Sequence, residues 1–376
     1  MVQLDNIQMV DLATQYEAIK EEVDAAISNV ITSTQFINGP EVKSFAAELE
    51  EYLGVNHVIP CGNGTDALQI ALMALKLQPG DEVITTPFTF IATSEVIGLL
   101  RLKPVFVDII PETYTIDPSK IEEKITDKTK VIIPVHLYGQ SCDMDAIMDV
   151  ASKHNIKVIE DTAQAIGGDY RGANGTVKTG TIGHIGCTSF FPSKNLGCFG
   201  DGGAIFTNDD ELAAEIRMIC NHGSKVKYYH EVVGVNSRLD SIQAAVLRIK
   251  LRKLNEYCAK RKMAAEYYSK AFSNNDRIIT PHIPEYSNHV FHQYTLRIDG
   301  DRNALQAYLK EQGIPSMIYY PVPLHIQEAY RDCGYSNGDF PISEDMAEQV
   351  ISLPMHTELN TDCQDYIIEH VNQFLS

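Results

Sequence analysis

The sequence lacks the features that mark several classes of protein. Its eight cysteines show no C-x-x-C spacing, which argues against a structural zinc site and a disulfide framework. No apolar run is long enough to span a bilayer, and the start Met1-Val2-Gln3 leads into a polar segment. Basic residues are also not in excess, and the net charge is −19. This charge argues against nucleic acid or an anionic membrane as partner. We therefore expect a cytoplasmic protein without a metal site.

The pattern of apolar segments predicts an α/β fold. With 376 residues the chain can bury a large core and form two lobes. Short apolar segments alternate mostly with helical patterns, and this alternation is typical of a mostly parallel sheet wrapped by helices. The predicted strands are residues 57–60, 83–86, 104–108, 131–135, 157–160, 185–191 and 203–207.

The two ends of the chain are predicted to differ from this central part. A helical stripe covers residues 16–31, and a long charged helix over residues 250–270 could join two lobes. A strand is expected at residues 290–298. We predict an N-terminal arm and large domain over residues 1–250, and a smaller α+β domain over residues 251–376.

The first candidate functional stretch surrounds Lys194. An apolar, β-branched strand ends at Pro192, and Lys194 follows in the turn. A lysine that is held still and shielded from water can lose its proton and attack a carbonyl. Ser189 could offer a hydroxyl and a backbone N–H to a phosphate. An isolated pattern of this kind is more typical of a surface lysine, so the interpretation depends on two further stretches.

The second stretch, at residues 62–67, is typical of a phosphate cradle. It follows a strand and opens a helix, so free N–H groups and the positive end of the helix dipole face a ligand. Gly64 allows close approach and Thr65 adds a hydroxyl donor. The stretch also matches G-x-G-x-x-A, but a dinucleotide fold needs an acidic residue after the second strand, which here ends Thr85-Thr86-Pro87-Phe88. An NAD-dependent oxidoreductase is therefore the weaker interpretation.

The third stretch places an acid at the end of a buried strand. Asp161 could pair with a cationic ring nitrogen, although a strand-end Asp often caps the next helix. Gln164 could reach a ring hydroxyl, and Phe90 could stack on a flat ring, although such an aromatic is more often part of the core. An amine, an anion, a phosphate cradle and a flat cover are what pyridoxal 5′-phosphate requires.

With these three stretches the chain resembles the DegT/StrS-type sugar-nucleotide aminotransferases, a branch of the fold-type-I pyridoxal-phosphate enzymes. The resemblance spans essentially the whole chain, in seven correctly ordered motifs. These are G-N-G-T-D-A-L (62–68), P-F-T-F-I-A-T (87–93), E-D-T-A-Q-A (160–165), S-F-F-P-S-K-N-L-G (189–197), G-D-G-G (200–203), G-V-N-S-R-L-D (234–240) and Y-Y-P-V-P-L-H (319–325).

The resemblance implies roles for individual residues. Lys194 would bind the cofactor covalently and move the proton, and Asp161 would pair with the pyridine nitrogen. The residues implied in cofactor binding are Gly64, Thr65, Phe90, Asp161, Gln164, Ser189, Lys194 and Asn236. Asn236 would act from the neighbouring subunit, which makes a homodimer obligatory. Arg238, Tyr320 and His325 occupy positions where family members contact substrate.

The resemblance also implies a reaction and a substrate class. An amino group would pass from L-glutamate to a keto-sugar nucleotide, because Lys194 is present where dehydrating branches carry histidine. The chain most resembles the branch that acts on UDP-2-acetamido-2-deoxy-3-oxo-glucuronate for bacterial surface polysaccharide such as O-antigen. A dTDP-3-keto-6-deoxyhexose is the second choice and a C4-keto sugar the third. A non-catalytic, regulatory protein that binds pyridoxal phosphate is a further alternative. The basic and aromatic residues 225–230 could hold the nucleotide diphosphate or form a solvated loop.

Overall fold

The computed structural model describes residues 7–376. Within this range the α-helices are α1 (Leu12–Glu17), α2 (Lys20–Ser33), α3 (Pro40–Leu53), α4 (Gly64–Ala74), α5 (Ala92–Leu99), α6 (Met144–Lys153), α7 (Asp210–Cys220), α8 (Ser241–Phe272), α9 (Arg302–Glu311), α10 (Pro341–Gln349) and α11 (Thr361–Phe374). The strands are β1 (His57–Cys61), β2 (Glu82–Thr85), β3 (Lys103–Phe106), β4 (Thr129–Ile132), β5 (Lys157–Asp161), β6 (Asp169–Gly172), β7 (Gly175–Lys178), β8 (Ile185–Ser189), β9 (Gly203–Thr207), β10 (Ser224–Val226), β11 (Tyr229–His230), β12 (Ile278–Ile279), β13 (Tyr294–Ile298) and β14 (Val350–Leu353).

The centre of the molecule is a seven-stranded sheet in the order β1-β9-β8-β5-β4-β2-β3. All neighbouring pairs from β8 to β3 are parallel, whereas β9 runs antiparallel to both β8 and β1. The mostly parallel sheet is therefore confirmed, and β9 is its one reversed strand. The reversal follows from the connection, because no helix separates β8 from β9 and a direct return along the sheet is antiparallel.

The strand directions bring the predicted functional stretches to one edge. Strands β1, β5 and β8 run the same way, so the residues after Cys61, Asp161 and Ser189 share one end of the sheet. In open α/β sheets the carboxyl ends of the strands are where ligands bind. The sheet therefore brings three stretches that lie far apart in sequence to one place.

The main core lies between this sheet and its helices. Helix α4 is buried on most of its surface, as its apolar sequence predicts, and packs on Val83, Ile159 and Ile185. Helix α3 and the first half of α8 pack together in a second cluster with Phe190. Close packing in these two clusters holds the strand ends that carry the site in fixed positions.

Helix α8 connects the large sheet to a smaller C-terminal unit. Its 32 residues span about 48 Å at ~1.5 Å per residue. Its last two turns pack with a three-stranded antiparallel sheet, β12-β13-β14, and with α9 and α11. The proposed boundary between residues 250 and 251 lies inside α8, and the division into two domains remains a proposal. The predicted strand at 290–298 begins only at Tyr294.

The helix predicted over residues 16–31 is interrupted. Ile19 has φ −127° and separates α1 from α2. The interruption lets Ile19 and Val23 pack against Val246 of α8. The predicted N-terminal arm lies partly outside the described residues, because residues 1–6 are not described. In residues 7–376 there is no helix with the length and hydropathy of a membrane span.

Candidate active site

Loops after β1, β5 and β8 form the candidate site. Gly64 begins α4 directly beside Ser189 at the end of β8, since a Cβ on Gly64 would lie 2.7 Å from the Ser189 Cβ. The charges of Lys194 and Asp161 each change the pKa of the other. The structure thus brings Gly64, Asp161, Ser189 and Lys194 together, as the sequence predicts.

Lys194 lies in a tight turn after β8. Its backbone N–H donates to the Phe191 carbonyl at 2.8 Å, and the neighbouring Asn195 side chain donates to the Val290 carbonyl at 3.0 Å. Burial lowers the pKa of the Lys194 amine to about 8, and the Asp161 carboxylate opposes this shift. About a tenth of the amine is therefore neutral near pH 7, and this is the form that attacks a carbonyl.

Asp161 is buried at the end of β5 and is held by two donors. The Thr93 hydroxyl donates to Oδ2 at 2.8 Å, and the backbone N–H of Ala163 donates to Oδ1 at 3.1 Å. Burial raises the pKa of the Asp161 carboxyl, while these two hydrogen bonds and the charge of Lys194 act in the opposite direction. The carboxylate is thus preorganised to accept a further cationic partner. It does not cap a helix, because the segment after β5 is a turn.

The start of α4 has the geometry of an anion site. Asn63 caps the helix, and its side chain accepts from the Asp66 N–H at 2.8 Å. Among residues 7–376 no partner accepts the N–H groups of Gly64 and Thr65, and the Ser189 hydroxyl lies close to Gly64. This donor set, at a helix N-terminus, fits a phosphate.

Two glycines make the cradle possible through close packing. A Cβ on Gly203 of β9 would lie 2.4 Å from the Asn63 carbonyl oxygen, so the antiparallel strand presses directly on the cap of α4. The contact of Gly64 with Ser189 is similarly close. A larger side chain at Gly64 would push the start of α4 away from β8, and one at Gly203 would push it away from β9.

Gln164 connects the site to two tyrosines. Its Oε1 accepts from the Tyr138 N–H at 2.6 Å, and its Nε2 donates to the Tyr320 hydroxyl at 3.1 Å. Phe90 lies next to this group, with its ring centroid 6.2 Å from that of Tyr320, and 54% of Phe90 is exposed. An exposed aromatic ring beside a buried carboxylate leaves a face open for a planar ligand. The residues present therefore fit pyridoxal phosphate at its amine, ring and phosphate contacts.

The remaining predicted residues lie around this group. Asn236 is exposed, and Ser237 next to it accepts from the Gly62 N–H at 2.9 Å and donates to Asp66 Oδ2 at 2.6 Å. Arg238 lines an open cavity of about 460 Å³, whose other walls come from α3, β1 and the end of α7. Within residues 7–376 no ion pair or side-chain hydrogen bond involves the Arg238 guanidinium.

His325 makes its described contacts with residues outside the Lys194 and Asp161 group. It is buried, its Nε2 lies 2.9 Å from Glu344 Oε1, and its ring contacts Phe340. No described hydrogen bond joins it to the Lys194 and Asp161 group. A substrate role for His325 therefore remains a prediction.

Sequence reasoning missed a buried pair behind the site. Glu160, at 0% exposure, accepts from the N–H groups of Gly180, Ile182 and Gly183 and pairs with His136 Nε2 at 2.8 Å. His136 Nδ1 accepts from the Cys142 N–H, so Nε2 carries the proton. A charged residue inside an apolar strand was the available signal, because a buried carboxylate requires donors.

Comparison with known protein families identifies the kind of protein. Residues 17–372 match the model of the DegT/DnrJ/EryC1/StrS aminotransferase family. The match includes every residue of the candidate site.

Curated relatives of this chain have more than one kind of name. A "Pleiotropic regulatory protein" of Geobacillus stearothermophilus is 48% identical, with 98% of both chains covered. A UDP-2-acetamido-2-deoxy-3-oxo-D-glucuronate aminotransferase of Pseudomonas aeruginosa is 48% identical over 94% of this chain and 96% of its own. A dTDP-3-amino-3,6-dideoxy-alpha-D-galactopyranose transaminase of Aneurinibacillus thermoaerophilus is 42% identical over 98% of this chain and 99% of its own.

Solved structures share the whole fold. DesV of S. venezuelae, in complex with a ketimine intermediate, has a TM-score of 0.95 at 39% identity, with 99% of both chains covered. NtdA of Bacillus subtilis, with bound cofactor PMP, has a TM-score of 0.92 at 32% identity, covering 99% of this chain and 86% of that one. The fold described above is thus shared with one structure in complex with a ketimine intermediate and with another that holds the bound cofactor PMP.

Proposed function

The chain belongs to the DegT/DnrJ/EryC1/StrS aminotransferase family, and from this premise we propose that it transfers an amino group from L-glutamate to UDP-2-acetamido-2-deoxy-3-oxo-glucuronate. It is a sugar aminotransferase that uses pyridoxal phosphate. The observation that carries the chemistry is the Lys194 amine, with its pKa of about 8, beside the buried Asp161 carboxylate.

Several residues of this chain would hold the cofactor, and one of them would also transfer a proton. Pyridoxal phosphate, when bound, supplies the carbonyl that takes up the amino group and a ring that accepts an electron pair. Lys194 would hold it covalently, and the Asp161 carboxylate would keep the ring nitrogen protonated. Gly64, Thr65 and Ser189 would bind its phosphate. Phe90 would cover one ring face, and Gln164 would reach the ring hydroxyl.

Lys194 Nζ would also move the proton. In its neutral form this amine would take the proton from the donor α-carbon and would return a proton during the second half of the reaction. A base that works near neutral pH needs a pKa close to the ambient value, and burial of Lys194 in its turn supplies this shift. The two half-reactions predict ping-pong kinetics.

Sequence identity alone does not select the sugar. The relative named for a UDP sugar is 48% identical to this chain, and the relative named for a dTDP sugar is 42% identical. Arg238 supports the 3-oxo-glucuronate. Its guanidinium has no carboxylate partner within the described range, and Arg238 lines a cavity together with Ser237, whose hydroxyl accepts from the Gly62 N–H at the start of the cradle stretch. A guanidinium binds a carboxylate through two parallel hydrogen bonds, and a glucuronate offers one where a deoxyhexose does not.

The test compares Arg238→Met with the unchanged enzyme on two acceptors, the UDP-3-oxo-glucuronate and a dTDP-3-keto-6-deoxyhexose. We expect kcat/KM to fall by about 100-fold on the glucuronate, as loss of one charged pair implies, and little on the deoxyhexose. Equal losses on both acceptors would mean that Arg238 binds the shared diphosphate. Higher activity of the unchanged enzyme on the dTDP sugar would refute the proposed substrate.

We also propose that the active enzyme is a homodimer with shared sites. Asn236 is exposed and lies next to a hairpin, β10–β11, that presents large apolar side chains to solvent. Tyr228 is 80% exposed and Val233 is 88% exposed. An exposed apolar patch of this kind is typical of an interaction surface, and a second copy that covers it would carry Asn236 to the neighbouring cradle.

Subunit complementation tests this arrangement. Lys194→Ala and Asn236→Ala chains are each expected to be nearly inactive, and their mixture should regain activity. In a mixed dimer one site then combines Lys194 of one copy with Asn236 of the other. A mixture that exchanges subunits, shown by mass, but stays inactive would contradict sharing of the site.

A further inference from the structure

The Thr93 hydroxyl makes a contact that the proposed roles leave unexplained. Thr93 is the second residue of α5 and is 1% exposed. A threonine near a helix start usually bonds a carbonyl of its own turn. Here the hydroxyl instead donates to Asp161 Oδ2 at 2.8 Å, across 68 residues of sequence.

A second threonine extends this hydrogen bond into a chain of two hydroxyls. The Thr89 Oγ1 lies 3.3 Å from the Thr93 Oγ1, and both side chains are buried. A hydroxyl has one proton to donate, and an ionised carboxylate can only accept. The Thr93 proton therefore goes to Asp161, and Thr93 accepts from Thr89. Such a chain of hydroxyls strengthens the final donor.

The same turn also carries Phe90. The Thr93 N–H lies 3.3 Å from the Phe90 carbonyl, so the backbone that holds the exposed ring also holds the threonine. The start of α5 thus connects the planar cover of the site to the carboxylate at the end of β5. Both elements would shift together if Thr93 moved.

We propose that Thr93 is a positioning residue, which keeps Asp161 ionised and oriented toward the ring nitrogen of the cofactor. The proposal rests on the pairing of Asp161 with that nitrogen, which is part of the proposed function. Of the two donors on the carboxylate, the Ala163 N–H belongs to the backbone, so Thr93 is the one whose hydroxyl a substitution can remove. Burial alone would favour the neutral acid, which could not hold a protonated nitrogen.

Other charged groups face Asp161 and must be considered. The charge of Lys194 favours its ionised form, and burial together with the charge of Asp161 raises the pKa of the neighbouring Cys187 thiol and of the Tyr320 phenol. His136 also faces Asp161, but its Nε2 pairs with Glu160 and its Nδ1 accepts from the Cys142 N–H. None of these groups donates a hydrogen bond to the carboxylate, so none replaces Thr93.

The test measures the cofactor rather than the reaction. The full chain is loaded with pyridoxal phosphate labelled with ¹⁵N in the ring, and the nitrogen chemical shift is followed against pH. In Thr93→Val we expect the ring nitrogen to lose its proton about one pH unit earlier, and the cofactor Kd to rise about tenfold, which corresponds to about 1.4 kcal/mol. Thr93→Ser should restore both values.

Thr85→Val is the matched control. Thr85 is equally buried, but its hydroxyl donates to the Ile133 carbonyl at 2.8 Å and does not contact Asp161. This variant should lose stability without shifting the nitrogen titration. If Thr93→Val does not fold, Thr93→Ala takes its place.

Two results would overturn the proposal. One is a nitrogen titration in the Thr93 variants that stays within 0.3 pH units (roughly a twofold change) of the unchanged chain. The other is an equal shift in Thr85→Val, which would mean that Thr93 only supports the fold. Neither readout uses glutamate or a sugar nucleotide, so a wrong substrate would leave this test intact. A labelled ring that carries no proton even in the unchanged chain would instead refute the role of Asp161.

Discussion

In the cofactor-free chain, the Lys194 amine should react with a small acylating reagent far faster at pH 7 than an ordinary lysine. Burial in the turn after β8 lowers its pKa to about 8. The negative charge of Asp161 acts in the opposite direction and limits this decrease. The protonated form dominates below pH 8, so reactivity should fall about tenfold per pH unit below this value and level off above it.

The size of the effect follows from the fraction of neutral amine. At pH 7 an amine of pKa ~8 is about 9% neutral, whereas a lysine of pKa ~10.4 is about 0.04% neutral. The expected advantage is thus about 200-fold before any loss through restricted access. Lys194 is partly exposed, so a small reagent can reach it.

Competitive labelling with isotopic acetic anhydride measures the reactivity of each amine. The labelled peptides are quantified by mass spectrometry between pH 6 and 11. Lys250 provides an internal control, because burial also lowers its pKa to about 8 while it is only 2% exposed. It should react slowly at every pH. Asp161→Asn removes the anion that favours the charged amine and should lower the Lys194 midpoint below that of the unchanged chain.

The reasoning fails if Lys194 titrates near pH 10 in the cofactor-free chain. It also fails if Asp161→Asn raises the midpoint, because the carboxylate would then not stabilise the ammonium. Rapid labelling of Lys250 would show that the burial on which both shifts depend is wrong.

Two further changes test the surroundings of the site. Gly64→Ala should raise the Kd of pyridoxal phosphate at least tenfold, since its Cβ would lie 2.7 Å from Ser189, whereas Gly98→Ala, with no heavy atom within 4 Å, should bind normally in the same fluorescence titration. Glu160→Gln should lower the free energy of unfolding in urea by about 3 kcal/mol, because one amide oxygen cannot replace a carboxylate that accepts four donors. Glu122→Gln, which removes an exposed ion pair, should unfold nearly as the unchanged chain does, and equal losses in both would refute the buried-donor argument.

The sequence predicted the parts of the site that depend on local chemistry. A lysine after a strand, a glycine and threonine at a helix start, and an acid at a strand end are each visible in a few residues. The order of the seven strands brings these residues together. The alternation of strands and helices predicts a parallel sheet, and in such a sheet ligands bind at the carboxyl ends of the strands. These features needed no knowledge of side-chain packing.

The features that were missed depend on contacts between distant residues. Thr93 lay within a motif that was noticed, yet nothing local shows that its hydroxyl crosses to β5. Strand β9 was predicted, but its reversed direction depends on the loop that carries Lys194. The interruption at Ile19 follows from packing against α8, because tertiary contacts override helical periodicity.

The central claim, amino transfer through Lys194, is tested most directly by the absorption spectrum of the purified protein. We expect a visible band from the bound cofactor, its loss on addition of L-glutamate, and its return when UDP-2-acetamido-2-deoxy-3-oxo-glucuronate is added. Lys194→Ala should lack this cycle. A band that glutamate does not change would contradict the proposed donor, and a band that cycles equally well in Lys194→Ala would contradict the role given to the lysine.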